Sequence, residues 1–322
     1  MSKYVIGIDV GGTKIAAGVV TKKGEIIHSL VLPTLAKEGL KVSLGQIYKT
    51  IEGLLAESSL CMKDIGALGV CAPGPLDPEK GIIHNPPNLP GWKDVPLVAL
   101  IEKKFRKKTK LENDANAAGI AEAIWGAAKG YKHVLYATVS TGVGTAIIID
   151  GKIYHGKNGM AGEGGHTTIN FDDKKARCKC GNNGCAETLT SGPVRLRLFS
   201  TELKKHPAQK KKFMKDAAGD LKKILMTDIA KAARRGNKLA IKAIAEEGEL
   251  LGIWLGNMIS LLDPEIIVIG GGVSLAGEVL LKQIRKSIPR HTINLNASKT
   301  PVVQAKLKQN VGVYGAASIV LE

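Results

Sequence analysis

Three cysteines, Cys178, Cys180 and Cys185, fall within eight positions of a 322-residue chain that has five cysteines in all. His166 stands twelve residues upstream of the first, and Glu163 and Glu187 bracket the segment. A C-x-C-x4-C spacing is awkward for a disulfide between its first two thiols, and the C-x-x-C of a redox site is absent. Three thiolates and one imidazole form a Cys3His set, the donor number and type of a closed tetrahedral zinc site. Such a zinc would do no chemistry of its own. It would fix a loop so that Glu163, His166 and Glu187 face one place. Carboxylates and an imidazole converging there suit a polyhydroxy ligand, whose hydroxyls both donate and accept hydrogen bonds.

Two glycine turns carry a second kind of chemistry. "DVGGTK" (9–14) and "STGVGT" (140–145) each sit between two apolar strands. Absent side chains let backbone N–H groups face an anion, and Thr13 and Lys14 add a hydroxyl and a charge. Either could be a plain hairpin turn. Their recurrence in both halves points to a pair that clamps phosphates from two sides, with Asp9, Gly11, Gly12, Thr13 and Lys14 on one and Thr141, Gly142 and Gly144 on the other. Asp9 could hold Mg2+ through water. A third turn, "GGG" (270–272), leaves Gly271 and Gly272 bare enough for a base or ribose to lie against, or for close helix packing. In "LENDAN" (111–116), Asn113 and Asp114 stand where a strand gives way to a helix. Spacing alone favours helix capping. The alternative for Asp114 is a general base that takes the proton of an attacking hydroxyl.

The elements that must position these residues read as α/β. "YVIGID", "IAAGVV" and "IIHSLV" form three strands in the first 30 residues, and "HVLYATVSTGVGTAIIIDGKIYH" (133–155) repeats the pattern. Two such units predict a duplicated fold with a ligand between its halves. Helical spacing covers 41–60, a basic helix is expected at about 97–108, and "ANAAGIAEAIWGAAKG" reads as a helix throughout. A largely helical stretch at about 190–262 ends before Pro264, followed by a buried strand, a short strand near "PVVQAKL" and an apolar final helix.

Length predicts about two domains. The amino terminus has no signal-like apolar stretch and no run is long enough to cross a membrane, so a cytoplasmic location is expected, with reduced thiols free to bind metal. The net charge of +17 concentrates in 101–110 and 202–223. Neither stretch interleaves aromatics or forms a helix-turn-helix, so lysine-rich helices around an anion site, rather than nucleic-acid binding, are expected.

Together, "DVGGTK", "APGPLD" (72–77), "ENDANAA" (112–118), "STGVGTA" (140–146), "GMAGEGGH" (159–166) and "CKCGNNGCAE" (178–187) resemble the sugar kinases of the ROK (repressor, open reading frame, kinase) family from end to end. The resemblance implies the two-domain α/β fold of actin and hexokinase, with ATP and Mg2+ in the cleft. It implies a small domain of residues 1–115 completed by the C-terminal helix (about 304–322), and a large domain of 116–303. It implies Asp114 as catalytic base, sugar contacts from Gly74, Asn113, Asp114, Glu163, His166 and Glu187, and structural zinc on His166, Cys178, Cys180 and Cys185. The loop "NPPNLPGWKDVPL" resembles that of bacterial glucokinases and adds Asn88 as a sugar contact, with glucose the first expectation. Kinases of N-acetylglucosamine or N-acetylmannosamine share the other motifs. The repressors of the family carry an added amino-terminal helix-turn-helix, for which no room is expected before a first turn at residue 9. A homodimer or homotetramer is the family expectation. One departure stands out: the family's second turn usually reads TGVGGG, and here Thr145 and Ala146 replace two glycines.

Overall fold

The computed structural model describes residues 3–216 and 223–321. Residues 217–222, the end of the second lysine-rich stretch, lie outside the described residues. The chain opens with β1 (Tyr4–Val10), β2 (Lys14–Thr21) and β3 (Ile26–Pro33), antiparallel neighbours joined by short turns. After α1 (Leu40–Glu57), β4 (Ile65–Ala72) pairs parallel with β1. A small hairpin of β5 (Leu76–Asp77) and β6 (Ile82–Ile83) and helix α2 (Leu97–Phe105) follow. Strand β7 (Thr109–Asn113) completes a sheet of order β3-β2-β1-β4-β7 and runs directly into α3 (Asp114–Ile124).

The second half repeats that plan. Strands β8 (Val134–Val139), β9 (Val143–Ile149) and β10 (Lys152–Ile153) are antiparallel, and β11 (Ile266–Gly270) and β12 (Val302–Gln304) pair parallel beside β8. The order is β10-β9-β8-β11-β12, the same two antiparallel and two parallel pairings as in the first sheet. Between β10 and β11 lie α4 (Ala186–Thr190), α5 (Gly192–Lys205), α6 (Pro207–Asp216), α7 (Met226–Arg234) and α8 (Lys238–Leu262). Helix α8 ends with Asp263 in the left-handed region just before Pro264. Then come α9 (Gly271–Ser274), α10 (Glu278–Ser287) and, last, α11 (Val311–Ser318). No described helix is long and apolar enough to cross a membrane.

Helix α11 returns to the first sheet, which explains two glycines in buried strands. A Cβ at Gly7 would come 2.2 Å from the Val313 carbonyl oxygen, and one at Gly69 would come 1.7 Å from that of Ala316. Only bare backbone admits the helix so close. Apolar side chains of β1, β2 and β4 meet Ile47, Ile51 and Leu54 of α1 on the sheet's other side. Helix α3 packs against α11 through Ala117 and Gly315, and against the second sheet through Gly119, which faces Ala146. It therefore touches both halves, with its first residue at their junction. The helix stops earlier than its composition predicts. Buried Glu122 turns its carboxylate to the Ala127 N–H (2.6 Å) and the distant Leu307 N–H (2.8 Å), drawing the chain out of helical course.

Candidate active site

Strand β7 ends and α3 begins at the floor of a cavity of about 720 Å3. One wall comes from the first half, Pro73–Leu76 and Glu112–Asn116, and the other from the second, Thr138, Ser140–Thr145, Gly159–Glu163, His166 and Glu187. The capping question has a divided answer. Asn113 is the N-cap, and its Oδ1 accepts from Ala115 N–H (2.9 Å) and Asn116 N–H (3.4 Å). Its amide nitrogen is left for other work, on the side of Gly74, where an added Cβ would lie 3.6 Å from it. Asp114 is thereby released from sole duty as a cap. It accepts one bond, from Ala115 N–H at 2.8 Å, and otherwise faces the cavity.

Water in the cavity reaches the Asp114 carboxylate, but protein surrounds it on most sides. That withdrawal of bulk solvent pushes its pKa from 3.8 to about 6, with smaller contributions from the negative charges of Asp9 and Glu163 and a partial offset from the Ala115 N–H. Beneath it, buried Glu112 accepts from Asn113 N–H (2.9 Å) and the Asn116 side-chain amide (3.0 Å) and pairs with His155 (2.7 Å), fixing the strand-to-helix junction. Glu112 and Asn116 were not singled out from sequence. Their signal was two more polar residues inside a motif otherwise read for its neighbours.

Across the cavity, the 140–144 turn lies against this junction. A Cβ at Gly144 would sit 3.1 Å from that of Ala115. Glu187 lines the cavity but has one oxygen committed, to Val143 N–H at 2.9 Å, so it also props the turn. Glu163 and His166 stand on a short helical turn, Gly164–His166, with the His166 Nε2 3.9 Å from the Glu163 carboxylate. The other ring nitrogen, Nδ1, faces Cys178 Sγ at 3.4 Å.

Behind His166 lie the three cysteines. Cys180 Sγ is 3.6 Å from Cys185 Sγ, and the four potential ligand atoms of His166, Cys178, Cys180 and Cys185 all lie within 4.8 Å of one another. Ligands at about 2.3 Å (sulfur) and 2.0 Å (nitrogen) from a tetrahedral zinc stand roughly 3.5–3.8 Å apart, so the set fits the ion. Burial first, then hydrogen bonds to the other two thiols, pushes the Cys185 thiol up to about 12, so holding all three as thiolates calls for a cation among them.

A second cavity, of about 660 Å3, shares Thr138 and Ser140 with the first. Gly271 and Gly272 line it. Gly271 has φ +79°, and a Cβ there would meet the Val139 carbonyl oxygen at 2.4 Å. Its far wall, Gln304–Lys308, Asn310 and Val311, was missed from sequence. The available signal was "KLKQN", a basic stretch leading into the N-terminus of α11.

The first glycine turn stands apart from both cavity walls. Gly11 N–H bonds to the Lys14 carbonyl (3.0 Å), buried Thr34 ties the turn from below through the Gly11 carbonyl (2.6 Å), and Thr13 and Lys14 are exposed. Asp9 is half-buried against the start of α11, where a Cβ at Gly312 would meet its carboxylate at 2.1 Å. Burial raises its pKa, while a 3.6 Å contact from the Cys71 thiol and the charge of Lys14 lower it. Asn88 is exposed and outside both cavities. Its backbone abuts Gly12, where an added Cβ would lie 2.5 Å from its carbonyl oxygen.

Comparison with known proteins agrees with this geometry. Residues 5–322 match the ROK family. A glucokinase of Halalkalibacterium halodurans is 33% identical over 318 residues, which span 99% of this chain and 95% of the relative. The crystal structure of a ROK family glucokinase from Streptomyces griseus, in complex with glucose and AMPPNP, is 32% identical with TM-score 0.82, covering 98% of each chain. A xylose repressor of Caldicellulosiruptor bescii is 31% identical over 324 residues, 98% of this chain and 78% of the repressor. Doubled sheets, the motifs around one cleft and matches along the whole length agree: the chain belongs to the ROK family and has the two-domain α/β fold of actin and the hexokinases.

Proposed function

We propose that the chain is an ATP-dependent kinase that phosphorylates the 6-hydroxyl of a hexose, glucose first, to give the hexose 6-phosphate and ADP. The observation that carries this is Asp114: a carboxylate at the floor of a cavity of about 720 Å3, its pKa raised to about 6, beside a glycine turn that adjoins a second cavity of about 660 Å3. A base of that pKa is ionised at neutral pH yet holds a proton well. Asp114 accepts the proton of the 6-hydroxyl as its oxygen attacks the γ-phosphorus. The bond from that phosphorus to the bridging oxygen breaks, and ADP leaves with the electron pair. Phosphoryl transfer of this kind depends chiefly on positioning and on stabilising charge. The backbone N–H groups of 140–144 supply part of that charge, and Mg2+, held by the donor phosphates and through water by Asp9, supplies more when bound.

The sugar is held by the amide of Asn113, by Glu163, by the free oxygen of Glu187 and by His166 Nε2, with Gly74 leaving room beside Asn113. His166 Nδ1 and the three cysteines would hold a structural zinc, which would keep Nε2 turned to the sugar. We divide the chain as residues 1–115 with the C-terminal helix from about 304, and 116–303. Closure of these domains would carry the Asp9–Lys14 turn, together with Asn88 packed on Gly12, toward the substrates and expel water that otherwise competes as acceptor. The glucokinases named above support glucose and a cytoplasmic enzyme. A coupled ADP-release assay across glucose, N-acetylglucosamine, N-acetylmannosamine, mannose and fructose tests the reading. Highest kcat/KM with glucose is expected. A preference for an N-acetylated sugar would move the substrate and keep the kinase, and no ADP release with any hexose would remove the proposal.

A further inference from the structure

Thr145 stands where the family turn usually has glycine, and its side chain makes contacts that glycine could not. It is 3% exposed. Its hydroxyl donates to the Gly162 carbonyl at 2.5 Å and accepts the Gly164 N–H at 3.2 Å. Fully buried Trp254 of α8 donates its indole N–H to the Gly164 carbonyl at 3.0 Å, and the same carbonyl accepts from the Thr167 hydroxyl at 2.7 Å. Both polar groups of Gly164 are therefore held by side chains of two other elements. The next residue lies flat on β9, where a Cβ at Gly165 would come 2.1 Å from the Val143 carbonyl oxygen. Glu163 sits between the two glycines that Thr145 grips, and His166 follows two residues after Gly164.

We propose that the Thr145 hydroxyl, together with the Trp254 indole, is a positioning device that sets Glu163 and His166 in their sugar-facing arrangement before a sugar arrives. The inference rests on the hexose reading above. A glycine-rich loop such as 159–166, with Gly159 and Gly162 in the left-handed region, has much conformational freedom to lose when a ligand orders it. Ordering it in advance removes that cost from binding. Threonine can do this because one hydroxyl both donates and accepts. The Cys3His set would anchor the loop beyond His166 through zinc, and Thr145 anchors it on the side of Glu163. The replacement of glycine at this position thus acts on the acceptor sugar rather than on the phosphate donor.

The test uses the full-length, zinc-loaded protein with Thr145→Val, nearly the same shape without a hydroxyl, and Thr145→Ser, which keeps it. Thr145→Val is expected to raise KM for the hexose about tenfold, the loss of roughly one net hydrogen bond, with KM for ATP within about twofold of wild type. Thr145→Ser is expected to restore most of the affinity. Without any sugar, hydrogen exchange over 159–166 is expected to quicken in Thr145→Val and not in Thr145→Ser. Unchanged hexose KM and unchanged exchange in Thr145→Val would overturn the proposal. So would a Thr145→Ser variant as impaired as Thr145→Val, since the methyl group would then carry the effect. Should wild type phosphorylate no hexose, the kinase reading fails, and loop exchange alone decides the clasp. Trp254→Phe is a second probe of the same loop. Faster exchange supports the joint hold of Thr145 and Trp254 on Gly164, and wild-type exchange there contradicts it.

Discussion

Asp114→Asn separates what this carboxylate does for catalysis from what it costs the fold. The substitution keeps the side chain's size and an oxygen for the Ala115 N–H, and removes the charge. A general base is worth roughly 10²–10⁴ in rate, so the role proposed for Asp114 predicts that kcat falls by that factor while the hexose still binds. Stability is expected to move the other way. The folded pKa of about 6 lies above the ordinary 3.8, so the folded chain holds this proton more tightly than the unfolded chain does. The group's contribution to stability is therefore most favourable below pH 3.8 and is lost as pH rises through about 6, beyond which the ionised form burdens the fold in full. In a site without solvent the difference would be about 3 kcal/mol. Cavity water reaches this side chain, and screening reduces it to about 1 kcal/mol. For a chain of this size that is about 2 °C in Tm. Differential scanning fluorimetry of both proteins at pH 5 and pH 8, beside single-turnover kinetics, measures both effects. A higher Tm for Asp114→Asn at pH 8, shrinking at pH 5, is the expected pattern. An unchanged kcat, or a Tm gain larger at pH 5 than at pH 8, would refute the reasoning.

Other consequences follow from the same geometry. In wild type, kcat/KM for the hexose should fall on the acid side with a midpoint near 6, where free Asp114 takes up its proton, and a profile flat from pH 5 to 8 would speak against it as base. Gently purified protein should contain about one zinc per chain by elemental analysis, and Cys180→Ser should lose it and raise the hexose KM by about tenfold or more. Lys308→Glu, at the wall of the second cavity, should raise KM for ATP about threefold or more and leave KM for the hexose unchanged. Gly69→Ala should destabilise the chain by about 2–4 kcal/mol in denaturant titration, because its Cβ would enter the backbone of α11 at 1.7 Å from the Ala316 carbonyl oxygen.

Periodicity and glycine punctuation carried most of the architecture. Apolar runs mark the central strands, and the return of strand, glycine turn and strand after residue 133 marks a doubled sheet. The Cys3His set was legible because its ligands lie close in sequence, three of them within eight residues. What depends on distant partners was not legible. Local spacing could not say whether Asn113 or Asp114 does the capping, since either side chain reaches the same N–H groups, and only the fold shows one capping while the other faces the cavity. The early end of α3 hangs on a contact between Glu122 and Leu307, far apart in the chain. Thr145 stood out in sequence only as a missing glycine, and its partners, Gly162 and Gly164, are brought to it by tertiary packing.

A crystal structure of the zinc-loaded protein with glucose and a non-hydrolysable ATP analogue tests the central claim most directly. The account predicts the Asp114 carboxylate at about 2.6–3.2 Å from the sugar's 6-hydroxyl oxygen, with the terminal phosphate in line on that oxygen's other side. A 6-hydroxyl turned away from Asp114, or a terminal phosphate bound elsewhere than the 140–144 turn, would contradict it.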